Sequence, residues 1–223
     1  MVKVQAAGGP VHGHSPGPDP ELRLAVLGDS SAAGFGAPDH ETALAGQLAG
    51  ALAGHLGRAV SWRVAARGGA TARTVAALIP ALSDPTTGRH PDIVLVVVGV
   101  NDTTRLRRPA AFHRDVSRLI SSIRGHLATS SAGTRILLAG LPPVHRFPAL
   151  PAPVRTLFGA HARRLDRQLA ALAAASPDTH HLPVGDLPLD QPGLFAEDGF
   201  HPAPAAYRVW GEILAARAAP LLT

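Results

Sequence analysis

Cysteine is absent from this 223-residue chain, which excludes disulfides, thiol nucleophiles and cysteine-ligated metal sites. No uninterrupted apolar stretch approaches the roughly 18 residues of a membrane-spanning helix, so no integral membrane association is expected. Lysine is almost missing: Lys3 stands alone, and arginine carries nearly all the positive charge. With the abundant alanine, that usage fits a GC-rich coding bias as much as a partner, which weakens any argument from the net charge of +5. No nucleic-acid partner is expected, and the run containing Arg163, Arg164 and Arg167 reads as the solvated face of a helix. Residues 1–20 carry glycine, proline and histidine where a secretory signal would be apolar. They read as a flexible N-terminal tail ahead of one folded domain over 21–223, with a cytoplasmic location as the default.

The residues that are present, 46% hydrophobic and 17% charged, suffice at this length to bury one core. Residues 22–27 and 93–98 are apolar runs, the second continuous in leucine and β-branched residues, as suits a strand buried on both faces. Further strands are expected at 60–64, 135–139 and, more weakly, 180–184. Between them lie helical stripes. Phe112, Val116, Leu119, Ile120, Ile123 and Leu127 form one, with Arg114, Asp115, Arg118 and Arg124 opposite. Val154, Leu157, Phe158, Leu165, Leu169 and Leu172 form the next, and Tyr207, Trp210, Ile213 and Leu214 the last. Gly46, Gly50 and Gly54, spaced by four, suggest a small-residue helix face that allows close packing. Alternating strands and helices imply a parallel sheet covered on both sides, a three-layer α/β/α sandwich.

Three short islands carry the chemistry: Gly28-Asp29-Ser30, Gly99-Val100-Asn101-Asp102 and Asp198-Gly199-Phe200-His201-Pro202. A serine hydroxyl is a weak nucleophile near neutral pH and needs an adjacent base, for which His201 is the candidate. Asp198, three residues upstream, can bind one imidazole nitrogen and leave the other facing Ser30. Asn101 has an amide that can donate to the anion formed on a carbonyl oxygen. Each island taken alone also fits an ordinary turn or helix cap, and it is their occurrence together that favours chemistry. Asp29 and Asp102 read as loop-holding hydrogen-bond partners.

These islands, with Arg67-Gly68-Gly69-Ala70-Thr71 between the first two, resemble the blocks of the SGNH hydrolases, also called the GDSL lipase/esterase family, in the family's order from about Leu22 onward. The resemblance implies five parallel strands in flavodoxin-like order and an SGNH catalytic domain over 21–223. It implies Ser30 as nucleophile, Asp198 and His201 completing a triad, and an oxyanion hole from the Ser30 N–H, a glycine N–H and the Asn101 amide. Gly69 fits the glycine role better than Gly68, and both stay open. The expected activity is hydrolysis of carboxylic esters with short or medium acyl chains through an acyl-enzyme on Ser30, without metal or cofactor. Lysophospholipase, acyl thioesterase and carbohydrate O-deacetylase action are alternatives within the family. Outside it, a nucleotide- or ligand-binding module is the competing reading, though no Gly-x-Gly-x-x-Gly or Gly-Lys-Ser/Thr pattern supports it.

The proline-stiffened segment 141–153 must cross the catalytic end of the sheet, which makes Phe147 and Leu150 the candidate walls of an acyl site for a small-molecule or lipid ester. Arg105-Leu106-Arg107-Arg108 follows the Asn101 loop directly and is expected near the mouth of the site, where it would favour anionic leaving groups or head groups. His180-His181 and His12-Gly13-His14 lack the companions of a familiar metal site.

Overall fold

The computed structural model describes residues 4–128 and 133–222; the parts of the expected 1–20 and 21–223 segments at 1–3, 129–132 and 223 lie outside them. Its sheet grows from Ile93–Val97 (β4), five apolar residues all buried, as the continuous apolar run demands of a strand covered on both faces. Leu22–Gly28 (β2) and Arg135–Ala139 (β5) flank it in parallel. Val60–Ala66 (β3) lies beyond β2, and Thr179–Leu182 (β6) beyond β5. The five parallel strands thus run β3-β2-β4-β5-β6, the flavodoxin-like order. Helices Leu44–Leu56 (α1) and Pro204–Ala218 (α5) pack together, as do Pro109–Leu127 (α3) and Ala152–Ala174 (α4), giving layers on both sides of the sheet. A single helical turn, Val100–Thr104 (α2), follows β4.

A sixth strand corrects the expected tail. His12–Ser15 (β1) pairs antiparallel with β3, His12 opposite Arg63 and Ser15 opposite Val60. Its half-exposed, polar sequence has no apolar alternation to announce it. What admits it is Gly13, where a Cβ would stand 2.3 Å from the Trp62 ring.

Three helix readings also change. The expected stripe of α3 is buried, but Asp115 is buried with it, because Arg107 binds its carboxylate at 2.9 Å. In α4 only Leu165 and Leu169 of the expected stripe are fully buried, and Leu157 is exposed. The glycine row of α1 is not its packing face: a Cβ at Gly50 or Gly54 would meet nothing within 4 Å. The close approach of α1 and α5 depends on Gly211, where a Cβ would lie 2.9 Å from backbone atoms of Gln47 and Leu48.

The register decides where the site forms. Gly28 pairs with Ala66 on one side and Val97 on the other, so β2, β3 and β4 end level and release their following loops at one edge. Gly211→Leu is expected to lower the unfolding free energy by about 2–3 kcal/mol by forcing α5 off α1. Gly50→Ala, on an open helix surface, should raise it by roughly 0.5–1 kcal/mol. Urea unfolding of the two variants checks the pair.

Candidate active site

Ser30 leaves the sheet two residues after the last pair of β2. Gly28 is required there, since a Cβ would sit 2.5 Å from the Val97 carbonyl. The Asp29 N–H still donates to that carbonyl at 3.1 Å, and the chain then turns, with Ala33 N–H on Asp29 O and Phe35 N–H on Ser30 O, both 3.0 Å. Ser30 is held at the head of this turn, nearly buried.

The partner comes from 171 residues away. Asp198 shapes its own loop: Oδ1 accepts the N–H groups of Phe200 and His201, each at 2.9 Å, around Gly199 at φ +63°. Its Oδ2 lies 2.6 Å from His201 Nδ1. A carboxylate can only accept, so Nδ1 carries the proton and the lone pair of Nε2 faces Ser30 Oγ, 3.1 Å away. Phe35 and Phe200 fix the imidazole plane, with centroids 5.1 and 5.3 Å from it. Tyr207 of α5 in turn holds the Phe35 carbonyl at 2.8 Å. The structure thus brings Ser30, His201 and Asp198 together in one hydrogen-bonded series.

The candidate oxyanion donors lie on the loops after β2, β3 and β4. Among the described residues the backbone N–H groups of Ser30, Gly68 and Gly69 have no acceptor. The two glycines differ: a Cβ on Gly68 would press on the Phe35 ring at 2.8 Å, whereas Gly69, at φ +74°, faces open space. Asn101 Nδ2 donates to the Ala70 carbonyl at 3.0 Å and, more weakly, to Asp29 Oδ2 at 3.4 Å. Asp102 accepts the Ala72 N–H at 3.0 Å and so ties the two loops together.

Beside Ser30 a narrow cavity of about 30 Å³ is lined by Val100, Pro142, Phe147, Leu187, Phe195 and Trp210. Phe147 is buried, edge-on to Phe195 at 5.3 Å and to Phe200 at 5.2 Å. Leu150 does not line the cavity; it packs on the core, and its N–H donates to Phe147 O. The loop residues Phe35, Leu187 and Phe195 carry no periodicity by which they could be found in the sequence. Trp210 was legible only as part of the buried stripe of α5. Arg107, expected at the mouth, is instead bound to Asp115. Among the described residues no three His, Asp or Glu side chains converge to hold a metal ion; His181 is engaged by Asp166 at 2.9 Å.

A family model for GDSL-like lipases and acylhydrolases matches residues 26–209. The chain belongs to that family. It is 28% identical over 200 residues to a GDSL-like esterase of Mycobacterium tuberculosis, an alignment covering 87% of this chain but 60% of that relative's length. The crystal structure of TesA superposes with a TM-score of 0.67 and 26% identity, covering 90% of this chain and 99% of TesA. A Clostridium thermocellum family 3 carbohydrate esterase shares the fold, with a TM-score of 0.66, 17% identity and coverage of 91% and 97%. Among the described residues no helix is long and apolar enough to cross a membrane.

The carboxylates of this family site sit in unequal surroundings. For Asp198 burial pushes the carboxyl up, but the hydrogen bonds from the His201 ring and from the N–H groups of His201 and Phe200 together outweigh it and hold the group below the usual carboxylate range. Asp29 goes the other way, pushed up to about 7, first by burial and further by Asp102, against the hydrogen bonds from Ser31 and Asn101. Between about pH 4 and 7 an unfolded chain would have ionised Asp29 while the folded protein keeps its proton, so stability from this group falls as pH rises through that window. Asp29→Asn should therefore gain stability relative to the unmutated protein as pH is raised from about 4 to 7.5. Urea unfolding at both pH values gives the comparison, and a constant difference would count against the burial of an ionisable Asp29.

Proposed function

We propose that this protein is a serine esterase that hydrolyses carboxylic esters of short or medium acyl chains. The observation that carries the reading is the Ser30 Oγ to His201 Nε2 distance of 3.1 Å, in line with His201 Nδ1 to Asp198 at 2.6 Å and beside an apolar cavity. Ser30 attacks the ester carbonyl while His201 takes its proton; Asp198 holds the ring and stabilises the imidazolium. Charge on the carbonyl oxygen falls to the free N–H groups of Ser30 and Gly69 and to the Asn101 amide. Of its two bonds, Asn101 can release the 3.4 Å contact to Asp29 for the oxyanion while keeping its hold on Ala70. His201 then protonates the departing alcohol, and water activated by the same nitrogen frees the acid from Ser30. The narrow apolar cavity beside Ser30, walled by Phe147, Phe195 and Trp210, supports the short end of that range.

The likeness to TesA and to esterases supports the class and leaves the natural ester to be found. A phosphate-cradling role for the Gly28–Ser30 turn is disfavoured because the Ser30 side chain faces an imidazole.

Hydrolysis of p-nitrophenyl esters from acetyl to palmitoyl tests the proposal. Ser30→Ala should abolish turnover in a folded protein, and activity surviving it would defeat the mechanism. Asn101→Ala should lower kcat by about 100- to 1,000-fold. Phe147→Ala, by emptying the cavity wall, should move the optimum to longer acyl chains and cost about 3 kcal/mol of stability.

A further inference from the structure

Several arginines at the surface of this protein rest on a carboxylate: Arg63 on Asp84, Arg107 on Asp115, Arg146 on Asp190 and Arg217 on Asp186. Arg105 does not. Its guanidinium is exposed, and among the described residues it meets no carboxylate within ion-pair distance; Nη2 makes one long hydrogen bond, 3.4 Å, to the Gly69 carbonyl.

Its position follows from the helical turn after β4. The Arg105 N–H donates to Asn101 O at 3.2 Å, so the two side chains stand one turn apart on the same face. Asn101 reaches the Ala70 carbonyl and Arg105 the carbonyl of the residue before it. The guanidinium is thus placed beside Gly69, outside the lining of the apolar cavity. The turn beyond is fixed from both sides. Leu106 takes φ +51°, Arg107 N–H donates to Asp102 O at 2.8 Å, and Arg107's own guanidinium is held by Asp115. Arg107 is therefore committed to the fold, while most of Arg105's donor fork is left to solvent.

An ester whose acyl half enters the cavity leaves its alcohol half outside it, where the exposed Arg105 guanidinium beside Gly69 can meet it. We propose that Arg105 is a specificity-determining residue that favours esters whose alcohol carries an anionic oxyacid group, a carboxylate or a phosphate. The planar fork of the guanidinium binds either through paired hydrogen bonds. This inference rests on the esterase reading above and deepens it by naming the leaving-group class.

The test compares matched pairs of butyrate esters: phenyl against para-carboxyphenyl for the carboxylate, and butyryl glycerol against butyryl glycerol phosphate for the phosphate. Arg105→Gln should lower kcat/KM for the anionic member about 10-fold more than for the neutral member in one pair or both, mainly through KM. Arg105→Lys should restore part of the preference, and raising ionic strength should erode it in the unmutated enzyme. The pair that responds identifies which oxyacid is recognised. Equal effects on neutral and anionic members in both pairs would overturn the inference and leave the esterase reading standing. An unmutated protein that hydrolyses none of the four esters would overturn both.

Discussion

The site depends on one constraint, the register that sets Gly28 level with Ala66 and Val97. Because these strands are parallel and end together, the residues that follow each of them, Asp29-Ser30, Gly68-Gly69 and Val100-Asn101, emerge within reach of one another. A slip of one residue in β2 would turn Ser30 to the opposite face of the sheet. Such a slip is resisted on both sides, since β2 is buried almost throughout and Gly28 alone fits against the Val97 carbonyl. The proposed nucleophile and oxyanion donors are therefore set by the register of the central strands.

The base is set differently. His201 sits on a loop outside the sheet, held by a few hydrogen bonds: Ala196 N–H to His201 O at 2.8 Å, Ala149 N–H to Gly199 O at 3.0 Å, and the pair on Asp198 Oδ1. Each contributes on the order of 1 kcal/mol, so no one of them fixes the ring. The aromatic packing does the rest. Phe35 reaches the imidazole from the Ser30 turn, and Tyr207 anchors Phe35 from α5. The imidazole is thus referred back to the same turn that carries Ser30, which keeps the two reacting atoms in register even though they arrive from separate loops.

How much of this was legible in the sequence follows from where the signal lies. The central strands and the helix stripe of α3 were readable because burial on defined faces imposes a period. Ser30, Asn101, Asp198 and His201 could be singled out because the proposed chemistry requires particular residue types at the ends of such strands or in a tight turn. What escaped was fixed by tertiary contact alone. β1 is polar and announces itself by nothing but a glycine that fits against Trp62. The helix contact at Gly211 was hidden behind the more regular glycine spacing of α1. The cavity walls from Leu187 to Phe195 lie in a loop without period, and the pairing of Arg107 was hidden because its partner, Asp115, looked like a solvent-facing residue of α3.

Two buried acids beneath the oxyanion donors raise a question that the arginines answer. A negative charge near a developing oxyanion opposes it, and both Asp29 and Asp102 lie close to Asn101. Burial lifts both groups, and Asp29, pushed up to about 7, holds its proton far above the usual carboxylate range, which lowers its average charge. For Asp102, burial and Asp115 push up, while the Ala72 N–H and the positive charges of Arg107 and Arg105 push down. Arg107 is already matched to Asp115, so of the two arginines acting on Asp102 the one without a carboxylate partner among the described residues is Arg105. Its charge opposes the field of the acids at the point where the substrate's oxygen becomes negative. Arg105 is exposed and therefore screened, so a nearby anion on the substrate gains most when it sits directly on the guanidinium fork rather than at a distance. This makes the preference a matter of contact geometry, sensitive to how many bonds separate the anionic group from the ester carbonyl.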